Sequence, residues 1–119
     1  MRVLIVDDSR LARLMLRRVL PASLAADVIE ASGGKEALAR VASENIDVMF
    51  LDLTMSEMDG YQVLESMQKA GRMPTTIVVS ADVQPLAQER VRRLGAAAFV
   101  PKTVNQRDLT TVLQSAGLL

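Results

Sequence analysis

Three aspartates and one lysine stand where short apolar runs of this chain end. Asp7 and Asp8 follow Val3-Leu4-Ile5-Val6, Asp52 follows Val48-Met49-Phe50-Leu51, and Lys102 follows Ala97-Ala98-Phe99-Val100-Pro101. A small hydroxyl, Ser80, follows Ile77-Val78-Val79. If these runs are strands of an open parallel sheet, the ligand crevice lies outside their carboxyl ends, where the five side chains can meet. Close carboxylates repel and tend to raise one another's pKa. A bound Mg²⁺ removes that repulsion; it prefers oxygen ligands, keeps several waters, and binds through one or two carboxylates plus phosphate. Asp52 is then the candidate nucleophile, because a carboxylate can form an aspartyl-phosphate. The metal and Lys102 neutralise charge on a transferring phosphoryl group, and the Ser80 hydroxyl can donate a hydrogen bond to one of its oxygens.

Each residue alone has an ordinary explanation. Asp7-Asp8 can cap the following helix, Asp52 and Ser80 can be turn residues, and Lys102 can be a solvated cation. The joint pattern carries the weight: an acid pair after the first strand, an acid after the third, a hydroxyl after the fourth and a lysine after the fifth.

The elements that must position these groups alternate along the chain. Val3 to Val6 reads as a first strand. Ser9 caps a helix with Leu11, Leu14, Met15 and Val19 inward and Arg10, Arg13 and Arg17 outward, which Pro21 stops. Val28-Ile29 is a short second strand. After the Gly33-Gly34 break, Glu36 to Ser43 is a helix with Ala37, Leu38 and Val41 on its apolar stripe. Val48 to Leu51 is the third strand. Asp59-Gly60 opens a helix using Tyr61, Val63, Leu64 and Met67, ending near Gly71. Thr76 to Val79 is the fourth strand. Pro85 suits the first turn of a helix through Leu86, Val91 and Leu94, with Gly95 at C′. Ala97 to Val100 is the fifth strand, and Asn105 caps a last helix carrying Leu109, Val112 and Leu113. Five strands and five helices in strict alternation predict an α/β fold: a doubly wound parallel five-stranded sheet with right-handed crossovers and helices on both faces.

The bulk composition narrows the function. The 119 residues suit one domain, and 14 basic against 14 acidic residues give a formal net charge of zero, unlike a nucleic-acid binder. Arg90, Arg92 and Arg93 do not change this, since no recognition module accompanies them. The chain has no cysteine and no histidine, which excludes thiolate chemistry, disulfides, imidazole bases and His-ligated metals. No signal-peptide pattern follows Met1, and no apolar run approaches the roughly 20 residues of a membrane span. A cytoplasmic protein without membrane contact is expected.

The chain closely resembles the receiver domain of two-component response regulators, the CheY-like family. The landmarks are Val3-Leu4-Ile5-Val6-Asp7-Asp8-Ser9, Asp52-Leu53-Thr54-Met55 with Met58-Asp59-Gly60, Ser80-Ala81, and Phe99-Val100-Pro101-Lys102. The resemblance spans essentially the whole chain. It implies a flavodoxin/CheY-like (βα)5 sheet of strand order 2-1-3-4-5 and a single receiver domain over residues 1–119. It implies Asp52 as phosphoacceptor, with Mg²⁺ held by Asp7, Asp8, Asp52 and the backbone carbonyl of Thr54. Ser80 and Lys102 would bind the phosphoryl oxygens, and Thr54 and Asp82 would tune the acyl-phosphate lifetime. Asp82 reads equally as a solvated residue at a helix start. Phe99 would be the switch aromatic, turning inward to reshape the face of the fourth expected helix, fifth strand and last helix; its plain reading is a strand residue in or beside the core. The implied partners are a sensor histidine kinase or histidine phosphotransfer protein, which must supply the phosphodonor, and a downstream target or an output domain absent from this chain. The first helix, with Ala12 and Met15, is the implied docking surface. Arg10, Arg13 and Arg17 either assist there or form a solvated face. Such a protein is a switch that catalyses its own phosphoryl transfer and dephosphorylation, not a metabolic enzyme. Ala97 and Ala98 replace the acidic residues through which receivers fused to winged-helix factors usually dimerise, which argues against that dimer.

Three departures from the family pattern stand out. Ser56 replaces the usual proline after the phosphoacceptor and is expected to loosen that loop. Thr103 replaces the proline that usually follows the lysine across a cis bond. A cis bond before a non-proline residue costs about 2.5–4 kcal/mol, so a trans Lys102-Thr103 bond is expected. Pro101 removes one backbone donor. The alternative readings are a receiver fold that serves as an unphosphorylated interaction module, an aspartyl-phosphate phosphatase and a flavodoxin-like cofactor carrier. Haloacid-dehalogenase-like phosphatases need a second acid where this chain has Thr54. A flavin phosphate would meet Asp7 and Asp8 instead of a Ser/Thr/Gly loop.

Overall fold

A computed structural model describes residues 1–119. Its strands are β1 (Val3–Val6), β2 (Val28–Ala31), β3 (Val48–Leu51), β4 (Thr75–Ser80) and β5 (Ala98–Pro101). Its helices are α1 (Arg10–Val19), α2 (Ala22–Ala25), α3 (Gly34–Ser43), α4 (Gly60–Ala70), α5 (Pro85–Arg93) and α6 (Gln106–Ser115). All strand pairings are parallel, in the order β2-β1-β3-β4-β5. This is the doubly wound parallel sheet expected from the alternation, in the CheY-like strand order that the resemblance implies. One element was not expected: α2, a single turn around the buried Leu24, which Pro21 starts after ending α1.

Strand residues are apolar in unbroken runs because both faces of the sheet are covered. Val3, Ile5, Val48, Phe50, Ile77, Val79 and Val100 point to one face, against Leu16 and Leu20 of the α1 region, Leu24, and Leu109 and Leu113 of α6. Leu4, Val6, Met49, Leu51 and Val78 point to the other, against Ala37 and Val41 of α3, Val63, Leu64 and Met67 of α4, and Val91 of α5. The alternation is the period-2 geometry of a strand.

One helix is rotated relative to expectation. Leu11, Leu14 and Met15 of α1 are exposed, and Leu16 is the helix residue buried in the core. The sequence offers two apolar stripes on this helix, 11/14/15 and 12/16/19, and spacing alone does not choose between them. Arg13 decides: it is drawn toward the sheet by Glu30 of β2, with Nε 2.6 Å from Oε1, so Arg13 is not an outward cation. On α5, Leu86 is exposed, Ala87 and Val91 are buried, and Leu94 packs against the core.

Local signals set the loop ends. Ser9 caps α1 by accepting from the Ala12 N–H, Asn105 caps α6 by accepting from Asp108, and Asp59 forms a full capping box with Gln62. Gly71 ends α4 in the left-handed region at φ 70°. Gly60 has a different reason to be glycine. A Cβ there would lie 2.5 Å from the backbone oxygen of Asp52 and 2.8 Å from Cα of Leu53. The start of α4 therefore rests directly on the backbone that carries Asp52. Gly60→Ala is expected to lower stability by about 1–3 kcal/mol in urea unfolding, the usual range for forcing an extra methyl group into a packed site. An unchanged midpoint would show that α4 can back away freely.

Candidate functional site

Register brings the acids together. Val6 pairs with Leu51 across β1 and β3, so Asp7 and Asp52 emerge side by side at the carboxyl ends. The Asp52 N–H donates to the Val6 carbonyl at 3.0 Å, and the Asp7 N–H donates to Ala31 of β2. Ser80 pairs with Pro101 across β4 and β5, which sets Lys102 beside them. Pro101 has no N–H for the ladder, and the next donor, Lys102 N–H, reaches the Ser80 carbonyl at 2.9 Å.

Lys102 Nζ lies 2.7 Å from Asp7 Oδ2 and 3.3 Å from Asp52 Oδ1. Both carboxylates are buried, while Asp8 is exposed. One oxygen from each of Asp7, Asp8 and Asp52 fits within 4.8 Å of the others, so the set could hold a metal ion. Asp7 Oδ1 accepts from the Ser9 N–H at 2.9 Å. The carbonyl of Thr54 accepts no backbone hydrogen bond, which leaves its oxygen available at the rim. This all-oxygen donor set suits a hard divalent cation such as Mg²⁺.

Electrostatics follow from the burial. Desolvation and the neighbouring Asp7 charge push the Asp52 carboxyl above the usual aspartate range, against the pull of Lys102 and a backbone hydrogen bond from Thr54. Burial alone would lower Lys102; its hydrogen bond to Asp7 and the charges of Asp52 and Asp7 outweigh that and raise its pKa.

Ser80 is fully buried, and its Oγ accepts from the Asp82 N–H at 3.1 Å. Asp82 is exposed, and its carboxylate accepts from the Gln84 N–H at 3.1 Å, so it serves the start of α5. Phe99 is half-buried and packs against the α3–α5 side of the core. Two of the expected departures come out differently. The Lys102-Thr103 bond is cis, not trans. The peptide preference is a local one, whereas the chain here is anchored by the Lys102 N–H on Ser80 and by its ammonium on two acids. Nor does Ser56 leave its loop free: its N–H and Oγ both donate to Asp8 Oδ2, at 3.3 and 3.4 Å. A proline would have removed that N–H, a signal readable from residue type alone. The arginines of α5 are also partly engaged. Arg90 stacks 3.9 Å over the Tyr61 ring centroid and lies 3.7 Å from Glu65, and Arg93 pairs with Glu89 at 2.9 Å.

A contiguous cavity of about 80 Å³ opens beside the acids, lined by Ala12, Met15 and Leu16 of α1 and by Val104 beyond Lys102. No helix is long and apolar enough to cross a membrane.

Comparison with known proteins agrees with this architecture. The family model described as the response regulator receiver domain matches residues 3–114. A protein-glutamate methylesterase/protein-glutamine glutaminase of Koribacter versatilis is 40% identical over 112 residues, covering 92% of this chain and 31% of that protein. The sensory/regulatory protein RpfC of Xanthomonas campestris pv. campestris is 36% identical over 108 residues, covering 87% of this chain and 15% of that protein. This chain therefore spans a third or less of these relatives. Among solved structures, the chemotaxis protein CheY4 of Vibrio cholerae superposes with a TM-score of 0.83 at 27% identity, over 97% of both chains. A CheY-like receiver domain from Methanospirillum hungatei gives 0.82 at 26% identity, over 95% of this chain and 90% of that one. With the match running from the first strand into the last helix, the chain belongs to the response regulator receiver domain family of two-component and chemotaxis systems.

Proposed function

We propose that residues 1–119 form a single receiver domain that accepts a phosphoryl group on Asp52, in a Mg²⁺-dependent reaction, from a histidine kinase or histidine phosphotransfer protein in the cytoplasm. The observation that carries this reading is Lys102 Nζ bridging Asp7 and Asp52, at 2.7 and 3.3 Å, with Asp8 in the same cluster. The donor histidine must lie outside these 119 residues because they contain none.

In this reading an ionised Asp52 oxygen bonds to phosphorus as the bond from phosphorus to the donor imidazole nitrogen breaks. The imidazole keeps that electron pair and later takes a proton from solvent. Asp7, Asp8, Asp52 and the Thr54 carbonyl are the proposed Mg²⁺ ligands, and bound Mg²⁺ would supply neutralising charge at the phosphoryl oxygens. Lys102 exchanges part of its carboxylate pairing for a phosphoryl oxygen. The Ser80 hydroxyl turns its hydrogen toward the same group while its oxygen is released from the Asp82 N–H. Thr54 and Asp82, both exposed at the rim, are the proposed tuners of the acyl-phosphate lifetime.

The displaced Ser80 loop leads into α5, and Phe99 packs beneath that helix, so the response spreads to the face formed by α5, β5 and α6. That face acts on a target protein or on an output domain outside this chain. The methylesterase relatives are consistent with an attached output domain, and RpfC with a partner in a sensory system. Ala12 and the exposed Met15, which line the cavity beside the acids, form the proposed docking surface for the phosphodonor.

Incubation with Mg²⁺ and acetyl phosphate is expected to add one phosphoryl mass to the wild type and none to Asp52→Asn. Label persisting in that variant would overturn Asp52 as acceptor, and no label on a folded wild type would favour an unphosphorylated interaction module. Lys102→Ala is expected to keep Mg²⁺ binding and lose the amide NMR shifts at Ser80 and Phe99 on beryllofluoride addition; a full response would make Lys102 peripheral. The raised Asp52 pKa also has a sign. A carboxyl whose folded pKa lies above its unfolded value opposes folding once ionised, so that cost grows as pH rises through the raised value and is absent below the unfolded one. Metal-free Asp52→Asn is therefore expected to unfold at higher urea than the wild type near neutral pH. The advantage should shrink as pH falls toward about 4.

A further inference from the structure

Arg13 lies on the same helix as Arg10 and Arg17, yet it faces inward. Its side chain is only 14% exposed. Its Nη1 donates to the Asp7 backbone carbonyl at 2.6 Å, and its Nε donates to Glu30 Oε1 at 2.6 Å. The other oxygen of Glu30 accepts from Arg17 Nη1 at 2.9 Å. The carbonyl that Arg13 holds belongs to the peptide joining Asp7 to Asp8. On the other side of the same residue, the Asp7 N–H donates to Ala31, the neighbour of Glu30 on β2. One planar guanidinium thus ties α1, β2 and the Asp7–Asp8 peptide together, while Glu30 neutralises its charge.

We infer that Arg13 and Glu30 are a positioning pair for the acidic site, fixing the Asp7–Asp8 peptide so that both carboxylates converge with Asp52. The inference rests on the metal reading above. Asp8 needs such help: it is exposed, and its own side chain meets only the long Ser56 contacts. Rotation of the preceding peptide would swing it away from Asp7 and Asp52. Lysine cannot replace Arg13, because a single ammonium on a flexible stem does not span the carbonyl and the carboxylate in one plane.

The test is a Mg²⁺ titration followed by amide NMR on the wild type, Arg13→Ala, Arg13→Lys and Arg17→Ala, with urea unfolding of each metal-free protein. Supporting groups behind metal ligands are worth roughly tenfold or more in affinity. Both Arg13 variants are expected to bind Mg²⁺ about tenfold more weakly, with the largest metal-free shift changes at Asp8 and Ser9. Arg17→Ala loses the same Glu30 partner without touching the Asp7 carbonyl, and is expected to keep wild-type affinity. Equal affinity in Arg13→Lys and Arg17→Ala overturns the inference, and Arg13→Lys carries the test should Arg13→Ala fail to fold. A folded wild type with no Mg²⁺ response overturns the metal reading and this inference together. Weaker Mg²⁺ binding in the Arg13 variants supports it even if no phosphoryl adduct forms.

Discussion

Two buried carboxylates and one ammonium hold each other in place at the end of this sheet, and the site follows from that compromise. Asp7 and Asp52 lie where water is largely excluded, a costly place for two like charges. Lys102 offsets the cost from β5, two strands away from β3 and three from β1 along the sheet. Losing Lys102 would leave two like charges buried together, which ties the end of the last strand to that of the first. The same balance leaves the cluster acidic by one charge from the buried pair and a second from exposed Asp8. That is why a cation fits a site that already contains a lysine.

The sheet makes this economy possible. Strand ends in a parallel arrangement all face one edge, so three strands separated by long stretches of sequence deliver side chains to one point. The register of β1 with β3 sets Asp7 beside Asp52, and Gly60 lets α4 begin against the Asp52 backbone. Arg13 and Glu30 brace the first strand's end from the opposite flank.

Much of this was legible in residue order. Unbroken apolar runs mark strands buried on both faces, and β1 and β3 have the expected bounds. Ser9, Asp59, Asn105 and Gly71 are local signals that act within one turn, and they placed their helix ends. What the sequence left open depended on partners distant along the chain. The rotation of α1 turns on Arg13 meeting Glu30, 17 residues away, so the stripe expected inward, Leu11, Leu14 and Met15, is exposed. The cis bond at Lys102-Thr103 follows a residue held by its backbone on Ser80 and by its side chain on Asp7, 95 residues earlier. The Ser56 tie to Asp8 spans 48 residues. Candidate site residues were visible by type and spacing; the groups that orient them were not.

The two core layers share a sheet but almost no side chains. Leu16, Leu24, Leu109 and Leu113 lie on one side, and Val41, Leu64, Met67 and Val91 on the other. The β-sheet therefore works as a partition wall with the acidic site on its upper rim. On the proposed function, donor recognition would fall to the α1 layer and readout to the α5 layer, and a substitution that repacks one layer leaves the other's contacts intact. Helix α6 is the exception: its core residues lie in the same layer as those of α1, and it also packs on β5. Its core residues Leu109 and Leu113 are where a change made for one partner would be felt by the other.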